Sequence, residues 1–183
     1  ARMGGMVEQL LSRSIEALET QDPELAEQTI LLDNDIDALD LEIEEAATHM
    51  IAKRQPMAID LRQIIGAIRI AAELERIGDY AVTMCREAIQ LERSLPDKFE
   101  QRIDDATDTA IEILHDSRQA FRDGNAERAI AIMQAAKRLD ARLDSFYDDL
   151  FEKDPALNRA NRMVIFGIVA ALKRVGDQSK NIC

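Results

Sequence analysis

Four acidic residues have the types and spacing to do chemistry together. Asp33 and Asp37 stand at i and i+4, and so do Glu75 and Asp79. On a helix each pair would occupy one face, one turn apart. Asp37 and Glu75 lie equally far from residue 56, and so do Asp33 and Asp79. In an antiparallel hairpin turning at Pro56, residues equidistant from the turn share a height, so all four carboxylates would meet at one level. They cannot all ionise in a desolvated place without a countercharge. Oxygen-only ligands suit hard cations, and the expectation is a site for Mg, Mn, Ca or ferric Fe, with Zn suited less well. The plainer alternative is a solvated acidic face paired with Lys53, Arg62, Arg69 or Arg76. Among 35 acidic residues such spacings arise readily by chance.

The third helix of this arrangement returns near the other end of the chain. Residues 74–85 (LERIGDYAVTMC) lie over 172–183 (LKRVGDQSKNIC), matching Leu74/Leu172, Arg76/Arg174, Gly78/Gly176, Asp79/Asp177 and Cys85/Cys183. One structural unit used twice leaves this signature. The second copy offers Asp140, Asp144 and Asp177, centred just inside a turn at Pro155, with Lys173 where Glu75 stood. Lys173 can neutralise an acidic neighbour without metal, so this second site is expected to be weaker or absent.

These side chains need long helices to hold them, and the composition supplies them. Of 183 residues, 46% are apolar, and only 7 Gly and 4 Pro leave room for few turns, so the chain reads as all-α. A first helix is predicted over about 3–20, a second over 23–54 opened by Asp22-Pro23, and a third from Pro56 or Met57 to about Arg93. After the linker Ser94-Leu95-Pro96-Asp97, a fourth runs to about Arg122, a fifth from Asp123-Gly124-Asn125 to about Glu152, and a sixth from the Lys153-Asp154-Pro155 turn to the end. The predicted architecture is two tandem antiparallel three-helix bundles related by internal duplication, residues 1–94 and 95–183. The sixth helix stops six residues after Asp177, whereas the third continues well past Asp79, so the second bundle is expected to be cut short at its C-terminus, and the start at Ala1 suggests the same there.

A net charge of −12 argues against nucleic acid as a partner, since phosphate contacts need clustered Lys and Arg. The longest apolar run, Met163 to Leu172, is half a bilayer span, and nothing is expected to cross a membrane. The N-terminus carries no signal-peptide core, and two cysteines make no disulfide framework, so a cytoplasmic setting is expected. Cys85 and Cys183 read as small buried thiols. Gly78 and Gly176 cost roughly 1 kcal/mol each inside a helix and imply close approach of a neighbour. Glu112-Ile113-Leu114-His115 has the Glu-x-x-His pattern of di-iron carboxylate proteins, but no second copy exists, and the alternative is a surface histidine. His49 has less to recommend it. There is no nucleophile motif, phosphate-cradling glycine loop or Zn-type Cys/His set, and the chain does not read as an enzyme. A plain helical interaction module that binds no metal is the remaining alternative.

Met3-Gly4-Gly5-Met6-Val7-Glu8, Asp33-Asn34-Asp35-Ile36-Asp37 with Glu42-Ile43-Glu44, Arg54-Gln55-Pro56-Met57-Ala58-Ile59-Asp60-Leu61-Arg62 and Leu74-Glu75-Arg76-Ile77-Gly78-Asp79-Tyr80-Ala81-Val82 together resemble the PhoU family of phosphate-signalling regulators. Leu143-Asp144-Ser145-Phe146-Tyr147 and Leu172-Lys173-Arg174-Val175-Gly176-Asp177 resemble its second repeat. The resemblance implies two three-helix bundles with metal-binding acidic motifs: Asp33, Asp37, Glu75 and Asp79 for the first, and Asp140, Asp144 and Asp177 for the second. It also implies a non-enzymatic, negative role in phosphate uptake and phosphate-starvation signalling. The partners would be the ATPase of the phosphate ABC transporter and a sensor histidine kinase, met at the inner face of the membrane, and a second copy of the chain is a further candidate. Lys173 departs from the family's Glu, and the stretch from Asp144 to Lys173 is shorter than its counterpart, which puts a full second cluster in doubt.

Overall fold

A computed structural model describes residues 2–92, 94–151 and 157–183, without the side chain of Phe151. Six helices follow one another: α1 (Arg2–Thr20), α2 (Pro23–Arg54), α3 (Ile59–Ile89), α4 (Asp97–Asp123), α5 (Ala126–Phe151) and α6 (Arg159–Asn181). No strand occurs among the described residues. Arg93, Glu152 and the Lys153-Asp154-Pro155 turn fall outside them.

The helix ends follow local chemistry. Asp22 caps α2 by accepting from the backbone N–H groups of Glu24 (2.9 Å) and Leu25 (3.1 Å), and Pro23 fills a position that needs no donor. Gly124, at φ +61°, closes α4, and the Asn125 side chain accepts from the N–H of Arg128 to open α5. The Asn158 side chain does the same for α6, accepting from the N–H of Asn161 at 2.7 Å. The start of α3 departs from expectation. Gln55 (φ 47°) and Ala58 (φ 48°) both take left-handed backbone, so the chain makes a wider turn and the helix begins at Ile59 rather than at Pro56 or Met57. It also ends early, at Ile89.

Within each half the three helices pack on one another: α1, α2 and α3 in the first, α4, α5 and α6 in the second. The fold is thus two tandem antiparallel three-helix bundles. The bundles share a core, because α3 packs on α6 and α1 packs on α4. One continuous apolar cluster includes Leu10 and Leu11 of α1, Ile36 of α2, Ile77 of α3, Leu114 of α4, Leu139 of α5 and Ile168 of α6. Ile77 and Val175, which match in the repeated segment, are both fully buried in it. By contrast α2 buries little beyond Ala26, Thr29, Asp33, Ile36 and Ala47, so it lies outermost and carries most of its acidic residues in solvent. No helix of the described residues is long and apolar enough to cross a membrane.

Polar contacts also join the bundles across α1 and α4. Arg118 donates to Glu8, and Asp104 shares a hydrogen bond with Glu19. Two carboxyl groups can share a hydrogen bond only if one keeps its proton. Burial first, then the bond and charge of Glu19 and the charges of Asp108 and Asp105, push Asp104 from its ordinary 3.8 up to about 6. A raised carboxyl binds more protons folded than unfolded, so its contribution favours the folded state below pH 4 and is lost as pH rises towards 6. Asp104→Asn keeps a donor towards Glu19 and removes the titration. It is expected to melt higher than the parent at pH 7 and to match it at about pH 4. Equal melting differences at both pH values would refute this account of the pair.

Candidate metal centre

The first set of carboxylates stands on the facing surfaces of α2 and α3. Asp33 is only 9% exposed, and its Oδ1 has no hydrogen-bond partner. Buried carboxylate oxygens are normally paired, so this atom needs an explanation. Burial and then the charges of Asp37, Asp79 and Glu75 push Asp33 up to about 6, with the Arg86 guanidinium working the other way. Glu75 is also raised, by burial and then by Asp79, Asp37 and Asp40, against Arg76. The four expected residues therefore lie within one another's fields. Arg76 acts on Glu75 through its charge and makes its ion pair with Glu73, at 3.6 Å. As placed, no three of the described His, Cys, Asp and Glu side chains converge tightly enough to ligate a single ion.

Gly78 makes this arrangement possible. A Cβ on it would lie 2.6 Å from Asp33 Oδ1 and 3.5 Å from Ile36 Cδ1. The close approach expected of this mid-helix glycine is thus made by the acidic side chain itself. In chemical type these four carboxylates, with one oxygen buried and unpartnered in a cradle that a Cβ would fill, are the ligands a hard cation takes, although as placed they stand apart.

The second set is built differently. Lys173 Nζ donates to Asp144 at 2.6 Å and stands in an ion pair with Asp140 at 3.0 Å, and these two carboxylates push its pKa upward. Asp177 is held by Lys180 at 2.6 Å and approached by Arg174 at 4.0 Å. The glycine contact also changes: a Cβ on Gly176 would meet Leu139 Cδ2 at 3.3 Å, not a carboxylate. Leu139 precedes Asp140 as Ile36 precedes Asp37, so Asp140 corresponds to Asp37. The position of Asp33, one turn earlier, falls to the buried Ala136. The hairpin spacing had instead paired Asp140 with Asp177, as Asp33 pairs with Asp79. The seven acidic residues thus fall into two unlike groups, and the second does not fit a cation that would have to displace an ammonium.

Three features were not read from the sequence. Asp40 joins the edge of the first cluster, its carboxyl raised by burial and then by Glu44 and Asp37; its i+3 spacing from Asp37 was the available signal. Glu87 of α3, raised by burial, would lie 2.6 Å from a Cβ on Gly167 of α6. Cys183, expected to be a buried thiol, is exposed, unlike Cys85, whose thiol burial pushes up to about 12. His115 lies 3.4 Å from Glu8 and 2.8 Å from Gln119, on the rim of a groove of about 430 Å³ lined by Met3, Ile70, Leu74 and Phe121 among others. It is a half-exposed surface histidine with neighbours of its own.

Gly78→Ala should force Asp33 out of its cradle. The metal-free protein is expected to keep its stability or gain up to about 1 kcal/mol from helix propensity. By NMR titration the Asp33 carboxyl should return towards its ordinary range. A destabilised variant whose Asp33 still titrates near 6 would contradict this reading.

The comparisons agree with this architecture. The family model of the PhoU domain matches residues 1–88 and 103–183. The phosphate-specific transport system accessory protein PhoU of Escherichia coli (strain K12) is 34% identical over 190 residues, covering 99% of this chain and 76% of that protein. The homologue of Rhizobium meliloti (strain 1021) is 33% identical over 186 residues, covering all of this chain and 78% of its own. The crystal structure of PhoU from Pseudomonas aeruginosa superimposes with a TM-score of 0.90 at 30% identity, over 99% of this chain and 88% of that one. The phosphate transport system regulatory protein PhoU of Streptococcus pneumoniae gives a TM-score of 0.90 at 25% identity, over 99% and 86%. With two stretches matching the domain model, relatives aligned along almost the whole of this chain and a shared fold, the chain belongs to the PhoU family.

Proposed function

We propose that this chain is a negative regulator of phosphate uptake and phosphate-starvation signalling, working as a metal-binding adaptor at the cytoplasmic face of the membrane. Its relatives are named accessory and regulatory proteins of phosphate transport systems, which supports a role in regulating that transport. The finer reading, that it contacts the transporter ATPase and a sensor histidine kinase, rests on the family resemblance. The role has no chemical step: it is binding, by a surface whose charge depends on what the carboxylates hold.

The observation that carries the metal part is Asp33, buried without a partner beside Asp37, Glu75 and Asp79. Those four residues would hold the ion, and Asp40 stands near enough to adjust its charge. A bound cation supplies positive charge where the chain has concentrated negative charge. Asp33 and Asp37 come from α2 and Glu75 and Asp79 from α3, so the same residues tie the exposed outer helix to the central one.

Elemental analysis of the purified protein beside Glu75→Ala/Asp79→Ala is the direct test, after loading with Mn, Mg, Fe or Zn. The parent is expected to retain metal and to melt several degrees higher than in chelator, while the variant does neither. Absence of metal from the loaded parent would end the metal reading. Pull-down with the transporter ATPase and the kinase cytoplasmic domain tests the partners separately, and no contact with either would overturn the adaptor role.

A further inference from the structure

The two bundles descend from one unit, yet their acidic sites differ in a directed way. In the first, the glycine of the repeated segment admits a carboxylate, and Glu75 adds another acid at the level of Asp37. In the second, the matching glycine faces Leu139, Ala136 stands where Asp33 stood, and Lys173 occupies the place of Glu75. Two of the four acids are gone, and one has been replaced by a cation. The ammonium of Lys173 spans Asp144 and Asp140 of α5, at 2.6 Å and 3.0 Å, while Lys180 takes Asp177.

We propose that Lys173 is the resident cation of the second bundle: it joins α5 to α6 through Asp140 and Asp144, as a metal ion held by Asp33 and Asp37 of α2 and Glu75 and Asp79 of α3 would join those two helices, leaving the chain one metal site. The metal half of this statement rests on the function proposed above, but the lysine half does not. An ammonium on the chain cannot be chelated, diluted or exchanged. The α5–α6 surface therefore keeps one charge state at every metal concentration, while the α2–α3 surface changes with supply. A partner reading both surfaces would meet one constant face and one variable face.

The test is carried out on the whole chain in the Glu75→Ala/Asp79→Ala background, with Mn²⁺ as the probe, read by electron paramagnetic resonance and thermal melting. That background is expected to bind no Mn²⁺. Adding Ala136→Asp and Lys173→Glu puts an acid at each position matching Asp33, Asp37, Glu75 and Asp79, with Asp144 beside them, and is expected to yield about one bound Mn²⁺ per chain. The milder Lys173→Gln, which only removes the ammonium, is expected to make the melting temperature respond to Mn²⁺ where its background does not. Either gain supports the proposal even if the parent's first site proves empty, in which case only the metal function fails. No gain in folded Lys173→Gln and folded quadruple variant overturns it. So does Mn²⁺ bound in the Glu75→Ala/Asp79→Ala background and lost on Asp140→Asn/Asp144→Asn, since the lysine would then not be excluding metal.

Discussion

Packing of α3 against α6 is the constraint from which the rest of the molecule follows. The two helices carry the repeated segment, and each must also serve its own bundle. A helix has room for a limited number of neighbours around its circumference, and α3 already has three in α1, α2 and α6. Its apolar residues Ile77, Ala81, Val82 and Met84 are consequently buried. What remains is the strip shared with α2. Acids placed on that strip have only α2 to face, and α2 returns acids of its own.

That geometry makes the first cluster costly by construction. A carboxylate as enclosed as Asp33 loses hydration, and its neighbours repel it, so its proton affinity rises until it is half protonated near pH 6. Selection for stability alone would have offered a hydrophobic residue there, as Ala136 at the corresponding place of the second bundle illustrates. Gly78 adds a second cost, roughly 1 kcal/mol of helix propensity relative to Ala. Two separate concessions serve one atom, Asp33 Oδ1. Concessions of this kind concentrate where a protein binds something.

Much of the fold was legible because its punctuation is chemical. Asp22-Pro23 and Asp123-Gly124-Asn125 specify caps through side-chain oxygens and a left-handed glycine, and both helix junctions fall where those residues put them. The turn before α3 was misplaced because Gln55 and Ala58 take left-handed backbone without being glycine, and no residue type announces that. The first cluster was legible because hairpin symmetry relates levels on adjacent helices. In the second, the same symmetry gave a register that the contacts shift by one turn, since which residue meets Gly176 depends on side-chain packing rather than on distance from the turn. Asp104 and Glu19 were out of reach for another reason: α1 and α4 belong to different bundles, and no repeat relates them.

Duplication also explains why the two sites could diverge without disturbing the fold. The bundles are joined through α3, α6, α1 and α4, using apolar residues such as Ile77, Leu114 and Ile168 on faces that the acids do not share. The outer helix α2 bears little of that core, whereas α5 gives it Leu139, Leu143 and Phe146, and Ala136 is buried with them. Lys173 in the place of Glu75 reverses the sign of one residue in the second copy's acidic group. With Ala136 the second group is reduced further, to Asp140, Asp144 and Asp177 shared between Lys173 and Lys180. A surface ion pair of this kind adds little stability, since exposed pairs are worth about 1 kcal/mol or less. Its effect is on charge: the second strip is close to balanced whatever the solution contains, and the variable charge of the molecule is concentrated on the α2–α3 side.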